Sequence, residues 1–145
     1  PKPLGLALLA GLLQIHDFWD ESHQAAQEAD DLGEREFSAY WHGIAHRREP
    51  DAGNASYWFR RVGRHPLSPI LAANALPLLE EFGDERLRSN LISEPGEWNS
   101  SAMISLCTRA RPGSRETALA RRLQCLEMQL LIDATASAML SGRAD

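Results

Sequence analysis

The chain has 145 residues, 43% apolar and 24% charged, which is the size and make-up of one soluble globular domain spanning 1–145. A net charge of -5 gives no overall attraction to nucleic acid, so a nucleic-acid partner is not expected. The two cysteines, Cys107 and Cys125, lie far apart and have no CxxC partner, which excludes a disulfide framework and a structural zinc knuckle and points to a reducing, cytoplasmic setting.

The sequence opens at Pro1, so either an initiator methionine was removed or the chain is part of a longer one. Residues Leu4 to Leu13, LGLALLAGLL, have the composition of a signal-peptide core. The apolar pattern nevertheless continues into Ile15, Phe18 and Trp19 without a small-residue cleavage site, and ten residues are too few to cross a bilayer. A buried helix is expected, and no membrane partner. Leu4, Leu8, Leu12, Ile15 and Trp19 recur at helical spacing, with Leu6, Leu9 and Leu13 on the other side. A helix apolar nearly all round is predicted to lie centrally in a bundle. Continued past Ile15, the same period places His16, Asp20 and His23 on one face. Residues 17–36 carry eight acids and one base, a net charge of -7, and Gly33 reads as the helix terminator.

A second helix is predicted from about Glu34 to Arg48, with Phe37, Tyr40, Trp41, Ile44 and Ala45 on its apolar side. The run Glu49-Pro50-Asp51-Ala52-Gly53 breaks it. Asn54 is predicted to cap a short helix over Ala55–Val62, ended by Gly63. Ser68-Pro69 reads as the next helix start, and Pro77 is expected to kink or restart that helix before Gly83 closes it. Residues 84–98 give a mixed pattern with a turn at Glu94-Pro95-Gly96. Asn99 or Ser100 is predicted to cap a helix running to about Arg109. Ser114 opens the last and longest one, with Leu119, Leu123, Leu126, Leu130, Ala134 and Ala138 as its buried stripe and Gly142 at its end. No run has the alternation and turns of a strand pair. The predicted fold is all-α, an irregular bundle of five to seven helices.

Reactive side chains concentrate between Ala39 and Pro66, which hold three of the five histidines, five arginines and both tyrosines. His42 and His46 are four residues apart and share one helix face. If the preceding helix runs antiparallel, His16, Asp20 and His23 would face them. That donor set suits a divalent transition metal such as zinc, iron, manganese or nickel. The same spacing makes His23, His42 and His46 candidates for catalytic acid–base groups. The motif is not HExxH, since Gly43 stands in the glutamate position. The alternative is that these histidines simply dock on the acidic segment, because residues 42–65 carry a net +3 against its -7. Arg47, Arg48, Arg60 and Arg61, with Glu49, Asp51, Asn54 and Tyr57 among them, are the candidates for a pocket binding an anionic small molecule. Here the alternative is a loop fixed by salt bridges. Tyr57, Trp58 and Phe59 must spread around a helix, so they divide between core and pocket. Cys107 and Cys125 read as inert thiols on apolar helix faces, and no nucleophile elbow or glycine-rich phosphate loop is present.

The run YWHGIAHRREPDAGNASYWFRRVGRHP, Tyr40 to Pro66, resembles a bacterial family of uncharacterised proteins that carry a near-verbatim YWHxIxHRREPDxxNAxYWFRRVGxHP string. HDFWDESHQAAQ (His16 to Gln27), Glu97-Trp98 and LQCLEMQLL (Leu123 to Leu131) are similar to further segments of the same family. The resemblance covers most of the chain and implies membership without implying an activity. The matching positions include Asp20, Glu21, Ser22, His23 and Gln27 upstream, and His42, His46, Arg47, Arg48, Glu49, Asp51, Asn54, Tyr57, Trp58, Arg60, Arg61 and His65 in the central string. Ala52 departs from the aromatic usual there, and Asn99 to Met103 from an Asp-Pro-aromatic pattern. Two readings of the whole remain: a helical domain that binds a metal or small molecule, or a non-catalytic, homodimeric interaction domain whose HRREPD segment is a salt-bridged scaffold.

Overall fold

A computed structural model describes residues 2–142, and every regular element in them is helical: α1 (Pro3–Ile15), α2 (Trp19–Asp31), α3 (Ser38–Arg48), α4 (Ala52–Val62), α5 (Leu67–Phe82), α6 (Glu85–Leu91), α7 (Ser100–Arg109) and α8 (Arg115–Leu140). The all-α expectation holds, but eight helices exceed the expected five to seven. One extra helix is α6, capped by Asp84, whose side chain accepts from the Leu87 N–H. The other arises because the first predicted helix is two.

The break falls at His16–Phe18. Asp17 takes a left-handed conformation, with φ at 66°, and the Phe18 N–H closes back on the Leu13 carbonyl at 2.9 Å. The chain turns and α2 packs onto α1. Small residues make this approach close: Ala7, Ala10, Ala25, Ala26 and Ala29 are all buried. Ser22 Oγ donates to the Ala10 carbonyl at 2.7 Å and accepts from Gln14 Nε2 at 3.2 Å, so the buried polar groups of this seam are satisfied. His16 is left exposed as the C-cap of α1, off the face it was expected to share with His23. Nor is α1 buried all round, since Leu9, Leu12 and Ile15 keep 40–45% of their surface exposed.

Helix α3 starts at Ser38, not Glu34, because the Glu34 carboxylate serves its first turn. That carboxylate accepts from the backbone N–H groups of Glu36, Phe37 and Ser38. Asp51, not Asn54, caps α4, accepting from the Asn54 N–H at 3.1 Å, and the helix consequently starts at Ala52. Gly43 has no Cβ, and one built there would lie 2.8 Å from the Phe59 ring, so α3 and α4 approach only because this residue is glycine. Helix α5 runs unbroken through Pro77, contrary to the expected restart, and Gly83 ends it in the left-handed region at φ 85°. Ser68 is not its cap. The Ser68 hydroxyl instead accepts from the Trp98 N–H at 2.8 Å and pins the 93–98 loop. Asn99 and Ser114 cap α7 and α8 as expected.

Two apolar clusters share α8. The first joins α1, α2, α3 and α4 to the C-terminal half of α8, around Trp41, Ile44, Leu131 and Ala138. The second joins α5, α6 and α7 to its N-terminal half, around Leu71, Leu91, Met103 and Leu123. The buried side of α8 is Leu119, Ala120, Leu123, Glu127, Met128, Leu131, Thr135 and Ala138, so the predicted stripe holds at Leu119, Leu123 and Ala138, while Leu126, Leu130 and Ala134 between them are only partly buried. Helix α3 is the element enclosed on most sides. All its residues from Ser38 to Arg47 are buried.

Candidate metal centre

Helices α2 and α3 bring three imidazoles together. His23 comes from the middle of α2, and His42 and His46 from one face of α3. One ligand atom from each lies within 4.8 Å of the others. The His23 ring meets His42 edge-on at 4.2 Å between centroids and His46 edge-on at 5.0 Å, while His42 and His46 stack at 5.0 Å. Nitrogens on a tetrahedral zinc are about 3.4 Å apart, so the rings would have to close up by roughly 1 Å to share one ion. His23 is half-buried and forms the outer side, whereas His42 and His46 are 1% and 8% exposed.

The surroundings set the protonation of these rings. Burial, followed by the neighbouring His23 and His46, lowers His42 to about 3. It is therefore a neutral imidazole throughout the physiological range, the form that coordinates metals. Burial also lowers His23, and His46 adds to this, while Glu49 and Asp20 pull the other way. His42 Nδ1 is buried without any hydrogen-bond partner. His46 Nδ1 lies 2.6 Å from Glu49 Oε1 in a contact that is short but off hydrogen-bonding direction. A carboxylate against the second nitrogen is the usual way a ligating histidine is oriented.

The wall behind His42 is Trp58 of α4, stacked on the imidazole at 3.7 Å with 14° between planes. Arg61 lies over the Trp58 ring at 5.1 Å, and its Nη2 binds both oxygens of Asp30 at 2.8 and 2.9 Å. Its positive charge is one of those that hold His42 neutral.

The other residues expected at a site disperse. Asp20, in the first turn of α2, and His16 lie outside the group of converging ligand atoms. Arg48 binds Gln14 and Asp17, fastening α3 to the turn between α1 and α2. Asp51 and Asn54 bind each other across the start of α4. Tyr57 is exposed and meets Trp58 edge-on, and Arg60 lines a shallow cleft with Ser56, Ser93 and Trp98. Arg47 turns inward to α8, where its Nη2 donates to Glu127 Oε1 at 2.5 Å. Tyr40 donates to the other oxygen of Glu127 at 2.6 Å. Arg47 and Arg48 both border one cleft, whereas Arg60 lines another and Arg61 binds Asp30, so the four arginines do not line a single pocket.

Sequence reasoning missed the buried triad of Tyr40, Arg47 and Glu127. A signal was available: Glu127 follows Leu123 by four residues in the buried stripe of α8, where a carboxylate demands a partner. No protein-family model matches the chain, and no match was found among curated proteins or solved structures.

Proposed function

We propose that this chain is a metal-binding helical protein in which His23, His42 and His46 hold one divalent transition ion. The observation that carries this reading is the convergence of three imidazoles, two of them buried, with His42 Nδ1 lacking any other partner. A buried polar nitrogen without a hydrogen bond loses roughly 1–3 kcal/mol of solvation. Two rings carry such a nitrogen, His42 and His46, and among the described residues the three packed imidazoles form no hydrogen bond with one another. A shared cation resolves both problems. Glu49 orients the His46 ring, and Trp58 fixes the plane of His42. Three nitrogen ligands are also the donor set that leaves a coordination position open for Lewis-acid chemistry. Asp20 and Glu49 are the carboxylates that act on His23, the half-exposed member of the three, and would flank a substrate admitted from that side.

The test is elemental analysis of tag-free protein purified without chelator, followed by titration with cobalt(II) read by its visible absorption. About one equivalent of metal in the native chain, lost in His23→Ala and in His46→Ala, is the expected result. His23 is half-exposed, so its variant keeps the fold, which far-ultraviolet circular dichroism checks. A chain that takes up no zinc, cobalt, manganese or nickel, or a His23→Ala variant that binds as tightly as the native one, rejects the reading.

A further inference from the structure

A second cleft, of about 580 Å³, opens between the ends of α3 and α7 and the first half of α8. None of the three histidines lines it. Among the described residues its charged groups are Arg47, Arg48 and Arg121, with no carboxylate in the lining, although the chain as a whole is acidic. We propose that this cleft binds a small organic anion, bearing phosphate or carboxylate groups, through Arg47, Arg48 and Arg121.

Arg47 supplies the strongest argument. It is 3% exposed, and only its Nη2 has partners, Glu127 at 2.5 Å and Gln124 at 3.3 Å. Its Nε and Nη1 are buried and unpartnered, which leaves three N–H donors of a cation unsatisfied. Guanidinium forks are built to hold oxyanions by paired hydrogen bonds, and an oxyanion in the cleft would meet that need. Glu127 already balances the charge of Arg47, so the surplus that attracts a ligand comes from its neighbours. Arg121 is exposed and forms no ion pair or hydrogen bond among the described residues. Arg48 commits Nη1 and Nη2 to Gln14 and Asp17 but still borders the cleft. Gln124 and Thr117 add neutral polar contacts, and Pro50, Pro112 and Ala120 give apolar walls. The volume suits a metabolite-sized molecule.

Cys125 is a free thiol on an exposed wall of this cleft and reports on its occupancy. The experiment is alkylation of Cys125 by iodoacetamide, followed by peptide mass spectrometry to separate it from Cys107. Pyrophosphate and citrate serve as phosphate and carboxylate probes at millimolar concentration, with potassium chloride at matched ionic strength. The expected result is a several-fold slowing by at least one probe, absent in chloride, and weakened about tenfold in apparent affinity by Arg121→Gln. Slowing by only one probe assigns the ligand to that class. The same slowing in His23→Ala is expected too, because the cleft does not use the histidine cluster. No slowing by either probe, equal slowing by chloride, undiminished protection in Arg121→Gln, or loss of protection in His23→Ala overturns the proposal. Arg47 is left intact because removing it strands Glu127 in the interior.

Discussion

Glu127 is fully buried, and its two oxygens are divided between a tyrosine and an arginine. Removing one member of such a buried set leaves an uncompensated charge, whereas replacing the charged pair together does not. Glu127→Gln is expected to destabilise the protein by about 3–5 kcal/mol, and Tyr40→Phe by about 1 kcal/mol. Arg47→Met combined with Glu127→Leu is expected to lose less than Glu127→Gln alone. Urea unfolding followed by tryptophan fluorescence measures all three. Burial, and then the nearby Glu127 charge, keeps Tyr40 a protonated donor by raising it well above the usual phenol range. His65 is fixed as a neutral tautomer, since its Nδ1 accepts from the Leu67 N–H at 3.1 Å and its Nε2 donates to the Glu36 carbonyl at 2.7 Å. At this scale the sequence spacing was a sound guide to His42 and His46, which share a helix turn. It was a poor guide to Arg47 and Arg61, whose partners Glu127 and Asp30 come from α8 and α2. Local spacing carries no information about a partner on another helix.

Elements were legible where a local signal decides the boundary. Asn99, Ser114, Gly83 and Gly63 act within one turn, and all four do what their side chains or lack of them dictate. The misses came from interactions that span a turn of chain or more. Gln14 and Ser22 lock α2 onto α1, which outweighs continuation of an uninterrupted helical pattern through Asp17. Glu34 reaches forward to the N–H groups of α3 and so delays its start. The close approach of helices gives a prediction at the same scale. Alanine has about 1 kcal/mol better helix propensity than glycine, yet Gly43→Ala is expected to lower stability by about 1–3 kcal/mol by driving a methyl into Phe59. Gly11→Ala meets Trp41 and Ile132 at 2.6 Å and should behave likewise. A raised melting temperature in either variant would show that the helices can part without loss. Because Gly43 follows His42 and faces Phe59, the neighbour of Trp58 on α4, its substitution should disturb the His42–Trp58 stack and, under the proposed function, weaken metal binding.

Across the whole molecule, one buried and two half-buried histidines give stability a definite pH dependence. His23, His42 and His65 are all lowered in the folded state, burial being the first cause in each. Unfolded, each titrates near pH 6.5. The unfolded chain therefore binds more protons below that pH, and stability present above pH 6.5 is lost as pH falls. His42 alone contributes about 2 kcal/mol of loss between pH 6.5 and 5, since its folded value is about 3. The metal-free protein should show a clearly lower urea midpoint at pH 5 than at pH 7.5. A flat profile over that window would mean that the rings titrate as if solvated. Metal should deepen the dependence, because protons compete for the same nitrogens.

The division of labour along α8 also bears on how the chain is made. His23, His42, His46, Trp58, Asp30 and Arg61 all belong to the first half of the sequence, so the whole lining of the histidine cluster leaves the ribosome early. The groups that complete the opposite side of α3 are synthesised last: Glu127 for Tyr40 and Arg47, and Thr135, whose Oγ1 accepts from Trp41 Nε1 at 3.3 Å. Until they arrive, a nascent chain can gather its three imidazoles while Arg47 still has no counter-charge. During synthesis the histidine-bearing half is thus complete before the core that supports it, and under the proposed function a metal captured then would hold α2 and α3 together while α8 is still being made.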